Sequence, residues 1–221
     1  MARAVPEYSG NFYILGVIHR DRRNPDIIRQ WLEKLRPDMI TVEVSRYSLD
    51  FRRSAGKMYR EKLDGICSCL SAEGYGRANP CFEDLYAFLE MPPEFTAADD
   101  YRRRNHAFIY PVDMDFFSFL KLRSVGDLID GENLRKALAG GSANIGAVER
   151  VLADLYFQKG VAAFSYDEEM AVRDRFICHK IGILRKRHGD ARFLHIAGWR
   201  HLRDPLSLYS PFEPVKIFAY D

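Results

Sequence analysis

Phe12-Tyr13-Ile14-Leu15-Gly16-Val17-Ile18-His19 is the stretch from which the fold is read. Aromatic and β-branched residues run without a charge to a terminal histidine, the composition of a buried strand. The far end of the chain repeats the arrangement. Arg192-Phe193-Leu194-His195-Ile196-Ala197-Gly198-Trp199-Arg200-His201 again carries an apolar run into Gly-x-x-His. With 15 Gly and 6 His in 221 residues, random placement gives about 0.4 matches to that spacing, so the motif gains meaning only from its position. Each copy closes an apolar run. Open α/β sheets place ligands outside the carboxyl ends of their strands, where such histidines would stand. If the two strands are neighbours in one sheet, His19 and His201 converge.

Working outward, Asn24-Pro25 fits an N-cap followed by proline at the first helical position. Ile27, Ile28, Trp31, Leu32 and Leu35 recur at helical spacing, predicting a helix over 25–35 that Pro37 stops. Met39-Ile40-Thr41-Val42-Glu43-Val44 reads as a second strand, apolar except for one carboxylate. Strand, helix and strand with short loops read as a βαβ unit with a parallel pair. From 45 to 105, helical periodicity around 50–64, 81–90 and 94–105 is broken at Gly74, Gly76, Pro80 and Pro92-Pro93. That segment is too long for a simple connection and reads as a helical insertion. A strand over 107–112 ends in Pro111-Val112-Asp113-Met114-Asp115, and a helix follows from Phe116 to Leu122. Residues 124–163 are helical again, with a break at Gly140-Gly141 and a helix around 145–158. A helix over 166–187 carries acids near its start and bases near its end, the order that suits the helix dipole. Strands over 191–197 and 215–219 complete the chain. The expectation is one α/β domain over 1–221, with a central, mainly parallel sheet, flanking helices and helical insertions at about 51–105 and 124–163 forming a lid.

The 221 residues suffice for such a domain, and 47% hydrophobic with 29% charged content is ordinary for a soluble globular chain. A net charge of +2 gives no long-range field for nucleic acid or membrane, and Arg102-Arg103-Arg104 and Arg185-Lys186-Arg187 read as solvated helix faces. No apolar run approaches the roughly 20 residues that span a bilayer, and no signal peptide is visible. Cys67, Cys69, Cys81 and Cys178 lack redox or zinc-ribbon spacing and fit a reduced, cytoplasmic chain. A small-molecule or peptide ligand is the expected partner. Nothing in the sequence fixes an oligomeric state, and a homodimer is compatible with it.

His19 and His201 lead the candidate site residues. A histidine after a strand is commonly a packed or carbonyl-capping residue, but Glu43 alters the balance. A carboxylate inside an apolar run is costly to bury, so it faces solvent at the strand end or meets a cation, a metal or a histidine. Asp113 and Asp115 also follow a strand. Two imidazoles with carboxylate oxygens suit a borderline divalent ion such as Zn²⁺, Mn²⁺, Co²⁺ or Fe²⁺. An open position on that ion would serve attack on an amide or ester carbonyl, with a spare carboxylate as general base. Arg173-Asp174 reads as an exposed charge set with Glu169, and Arg46 as a solvated loop cation. His195 reads as a packed core histidine.

The residues also resemble a family. Gly16-Val17-Ile18-His19, then Pro37-Asp38-Met39-Ile40-Thr41-Val42-Glu43 with Arg46 just after, resemble the opening of TraB/PrgY-like proteins. Arg173-Asp174 looks like that family's Glu-Arg-Asp helix motif, and Gly198-Trp199-Arg200-His201-Leu202 like its second Gly-x-x-His. The wider group contains Tiki proteases, erythromycin esterases and ChaN-like proteins. The resemblance implies an α/β core with a helical insertion, and divalent-metal-dependent peptide cleavage of the Tiki kind. It makes His19, Glu43 and His201 the metal and catalytic core, with Arg173 as a site cation and Arg46, Asp113 and Asp174 around the ligand. Val172 stands where the helix motif has glutamate. The implied function is a hydrolase of a peptide, amide or ester bond using Mn²⁺, Co²⁺ or Zn²⁺. The alternative is a regulatory or ligand-binding protein, for haem, a peptide or a small molecule, that keeps the same pocket.

Overall fold

Strands without polar alternation need cover on both faces, and every residue of β1 (Phe12–Val17), β2 (Met39–Val42) and β4 (Phe193–Gly198) is buried. With β3 (Phe108–Pro111) and β5 (Val215–Phe218) they form one sheet in the order β3-β2-β4-β1-β5, every pairing parallel. The computed structural model describes residues 10–19, 21, 23–75, 79–139, 145–161 and 164–220. The breaks expected at Gly76 and Gly140-Gly141 lie outside the described residues.

β1 and β2 are parallel but not paired, which corrects the simple βαβ reading. β4, from the far end of the chain, lies between them. Its run, apolar but for His195, which pairs with Thr41 of β2, fits that interior place, since both faces and both edges are then covered. The edges fall to β3, whose residues are at least partly exposed and which ends in Pro111, and to the half-buried β5.

The helices in chain order are α1 (Asn24–Leu35), α2 (Arg46–Ser54), α3 (Gly56–Ala72), α4 (Pro80–Leu89), α5 (Pro93–Asn105), α6 (Asp115–Leu122), α7 (Val125–Leu128), α8 (Gly131–Ala139), α9 (Ile145–Lys159) and α10 (Glu168–His188). Tyr13, Leu15, Val17, Ile40, Val42, Leu194 and Ile196 pack on one side of the sheet with Ile28, Leu32 and Leu35 of α1 and Phe95, Ala98 and Tyr101 of α5. Phe12, Ile14, Phe193 and Phe218 pack on the other with Ala153 of α9, Ile177, Cys178 and Ile181 of α10, and Trp199, Leu202 and Tyr209. Each fully buried side chain of this size contributes about 1.5–3 kcal/mol. The segments expected as insertions therefore divide. α5 and α9 are sheet-covering helices, while α3, α4, α7 and α8 share a third apolar cluster around Leu63, Leu70, Phe82, Val125 and Leu134.

Capping follows the side chains present. Ser45 accepts from the Ser48 amide at 3.0 Å to start α2, and Asp167 accepts from the Met170 amide at 2.8 Å to start α10. Asn24 departs from its expected role. The cap position of α1 is Arg23, and the fully buried Asn24 side chain is used elsewhere.

Candidate active site

The register sets four side chains in a row. Val17 pairs with Gly198, Val42 with Ile196 and Val42 with Pro111, so Asp113, Glu43, His201 and His19 follow the carboxyl ends of β3, β2, β4 and β1 in spatial order. The segment after β1 leaves toward the α1 face, and the segment after β4 toward the opposite one. Adjacent strands whose continuations part in this way open a crevice between them. His201 lies in the short 3-10 turn Trp199–Arg203 directly after β4.

The two glycines explain the repeated motif. A Cβ on Gly16 would lie 2.4 Å from Leu202 Cδ1 and 3.0 Å from the Trp199 Cα. A Cβ on Gly198 would lie 2.6 Å from His19 Nε2. Each glycine makes room for the residues that continue the other motif. Gly16→Ala is expected to destabilise by about 1–3 kcal/mol through overpacking against backbone, measured by urea denaturation. Gly198→Ala should cost less, because the half-exposed His19 ring can swing away, and should shift that ring's NMR signals. Equal, negligible effects at both positions would refute this account.

Glu43 is the centre of the site. Its side chain is 3% exposed, and Arg173 Nη2 donates to Oε1 at 2.5 Å while the Gly198 amide donates to Oε2 at 2.7 Å. His201 Nε2 stands 3.1 Å from Oε1, and His19 Nε2 stands 3.8 Å from Oε2. Burial alone would raise the Glu43 carboxyl, but the neighbouring His201 and Arg173 charges hold it well below the usual carboxylate range. Arg173 also reaches Asp113, with Nε 3.0 Å from Oδ1 and Nη2 2.8 Å from Oδ2. The reading of Arg173 as an exposed partner of Glu169 is thereby corrected. Glu169 is 3.9 Å away, but the guanidinium turns inward and bridges two buried carboxylates.

His201 sits between two carboxylates. Its Nδ1 is 2.6 Å from Asp174 Oδ1, and Asp174 accepts further from Tyr166 at 2.7 Å and Tyr209 at 3.1 Å. Burial disfavours an imidazolium here, yet Glu43 and Asp174 outweigh it and push the pKa up to about 10. His19 has the same pattern in a more open place. Its Nδ1 is 3.4 Å from Glu94 Oε1, and its pKa is raised because Glu94 and Glu43 outweigh desolvation. Glu94, buried in the first turn of α5, was missed from sequence. Its signal was a glutamate beside Phe95 and Ala97 on a buried helix face. Arg46 is exposed at the start of α2 and is not among the groups hydrogen-bonded to Glu43, Asp113 or His201. His195 is fully buried in β4, paired with Thr41 at 3.0 Å, and burial lowers its pKa to about 4.

Two imidazole nitrogens and a carboxylate are a donor set for a borderline divalent ion. Each ring faces a carboxylate through Nδ1 and Glu43 through Nε2, the orientation that outer carboxylates impose on ligating histidines. Ligands about 2.0–2.1 Å from one tetrahedral ion lie about 3.3 Å apart, and the separations here are 3.1 and 3.8 Å. The donors fit in kind and orientation. Among the described residues, no three His, Cys, Asp or Glu side chains are already gathered for an ion. Arg173 takes Glu43 Oε1, and a doubly protonated His201 has no free lone pair.

Comparison with family models, curated proteins and solved structures finds no match to this chain. Among the described residues, no helix is long and apolar enough to cross a membrane.

Proposed function

We propose that this chain is a divalent-metal-dependent hydrolase of a peptide, amide or ester bond, with His19, Glu43 and His201 as the metal set. The observation that supports the reading is the paired orientation of the two rings, each with Nδ1 on its own carboxylate and Nε2 on the shared Glu43. The motif resemblance to TraB/PrgY-like proteins points the same way. A bound ion would supply Lewis-acid polarisation of the scissile carbonyl. The chain's own groups do the rest. Asp174 with Tyr166 and Tyr209 orients His201, and Arg173 fixes Glu43 against Asp113. The half-exposed His19 marks the side from which a substrate enters, and the cluster of α3, α4, α7 and α8 is the candidate cover.

The test is the metal content of the purified protein. The expected result is about one Mn²⁺, Co²⁺ or Zn²⁺ per chain, lost in His19→Ala and in His201→Ala. Affinity should increase with pH, because a proton on His201 with pKa about 10 competes with the ion. Negligible metal, with ligand binding unchanged in both variants, would remove the enzyme reading. A second reading is a regulatory or ligand-binding protein that retains the pocket. It is favoured by Arg173 and His201, which already neutralise Glu43. A haem ligand would be evident in the absorption spectrum.

A further inference from the structure

Behind His19 lies a set of polar groups that the reaction itself does not call for. Asn24 is fully buried at the start of α1. Its Nδ2 donates to the Ile18 carbonyl at 2.8 Å and to Glu94 Oε1 at 3.2 Å. Its Oδ1 accepts from the Tyr220 hydroxyl. That hydroxyl in turn accepts from the Ile18 amide at 3.1 Å. Both backbone groups of the residue before His19 are therefore held from outside the strand, by α1 and by the end of the chain. Glu94 then meets the ring at Nδ1. A buried amide and a buried carboxylate are costly unless fully bonded. Glu94 also gains from its place in the first turn of α5, where the helix dipole favours an anion.

We propose that Glu94, backed by Asn24 and Tyr220, is a positioning residue that keeps the His19 proton on Nδ1 and turns the Nε2 lone pair toward Glu43. The consequence follows from hydrogen-bond chemistry. A neutral imidazole carries one proton and a carboxylate can only accept it. Glu94 stands 3.4 Å from Nδ1 against 3.8 Å for Glu43 from Nε2, so the nearer carboxylate holds the proton on Nδ1 and Nε2 keeps its lone pair. The same contact favours one ring tilt, and the amide and carbonyl of the preceding Ile18 are both hydrogen-bonded, which steadies the backbone that carries the ring. Without Glu94 the alternative tautomer would place N–H at Nε2, where it would face the Glu43 carboxylate and block ligation. Asn24 holds Glu94 in turn, so the clamp joins the end of β1, α1, α5 and Tyr220, two residues past β5, at one point.

The metal part of this inference rests on the reading of His19 as a ligand, whereas the tautomer part does not. Nitrogen-15 NMR of the metal-free protein, at a pH where the ring is neutral and with His19→Gln for assignment, should show the Nδ1–H form. Glu94→Gln should retain it, since an amide oxygen still accepts from Nδ1. Glu94→Ala should move the ring toward the Nε2–H form and weaken Zn²⁺ or Mn²⁺ binding about 10–100-fold by titration. An Nε2–H ring in the unaltered protein overturns the proposal, as does an unchanged tautomer in Glu94→Ala. If Glu94→Ala does not fold, the unaltered protein and Glu94→Gln still decide. If no metal binds to any form, the metal reading fails while the tautomer result still judges the clamp.

Discussion

Arg173→Met is expected to lower stability by about 3–5 kcal/mol at neutral pH, read from urea denaturation. The cause is not lost packing, since methionine fills similar space. It is that Glu43 and Asp113, with side chains 3% and 9% exposed, would be left facing each other with their shared cation gone. Adding Glu43→Gln to Arg173→Met should restore much of the loss, because it removes one of the two carboxylate charges that Arg173 bridged, and the two effects should be strongly non-additive. The penalty should also shrink in acid. The folded-state pKa of Glu43 lies below its ordinary value, so the stability it contributes is present above that ordinary value and is lost as pH falls through the folded one. A loss under about 1 kcal/mol would instead fit an exposed ion pair with Glu169.

The second large effect lies on the alkaline side. The His201 pKa is raised from 6.5 to about 10 by Glu43 and Asp174 against the cost of burial. A raised folded-state pKa means that the stabilisation is complete below pH 6.5 and is lost as pH rises through about 10. The metal-free protein should therefore lose about 3–5 kcal/mol across that window, with the slope already visible between about pH 7 and 8.5. His19, whose pKa is also raised above 6.5, adds to the slope in the same direction from the same starting pH, and the groups of higher ordinary pKa act later. The Cys178 thiol, pushed by burial from 9.0 to about 12, begins to contribute in the same direction only above its ordinary value. His201→Asn should make the slope between about pH 7 and 8.5 clearly shallower, leaving the part due to His19. An identical slope in that variant would refute the assignment of the titration to His201.

What the sequence made legible was local. Mostly apolar runs identify β1, β2 and β4, and a charged or imidazole residue within three positions of the end of each identifies the end of the sheet that matters. Glu43 stood out because an acid in an apolar run must be compensated. Pairing order was hidden, because nothing in Phe12–Val44 says that a strand arriving some 150 residues later will separate its two halves. Arg173 was misread for a related reason. Along α10 it has a partner one turn away, and that local pairing masks the two carboxylates that β2 and β3 present from across the fold. Glu94 and Asn24 were unrecognised because their chemistry is with each other, 70 positions apart, while each alone looks like an ordinary residue of a first helical turn. Arg46 was read in two ways. Its place around the ligand came only from the motif resemblance, whereas its reading as a solvated cation agrees with its exposed position at the start of α2.

The place of β4 has a consequence for how the molecule is made. Synthesis delivers β1, β2 and β3 long before Phe193–Gly198, so the nascent chain carries β1 with neither of its eventual neighbours and β2 with one open edge. Until β4 leaves the ribosome, the centre of the sheet is a gap flanked by apolar strands, the kind of unpaired edge that invites association with other chains. Insertion of β4 then joins β1 to β2, and β5 follows to cover the other side of β1. The insertion of β4 also brings His201 beside Glu43, so a chain that stalls before β4 has neither a finished core nor a site.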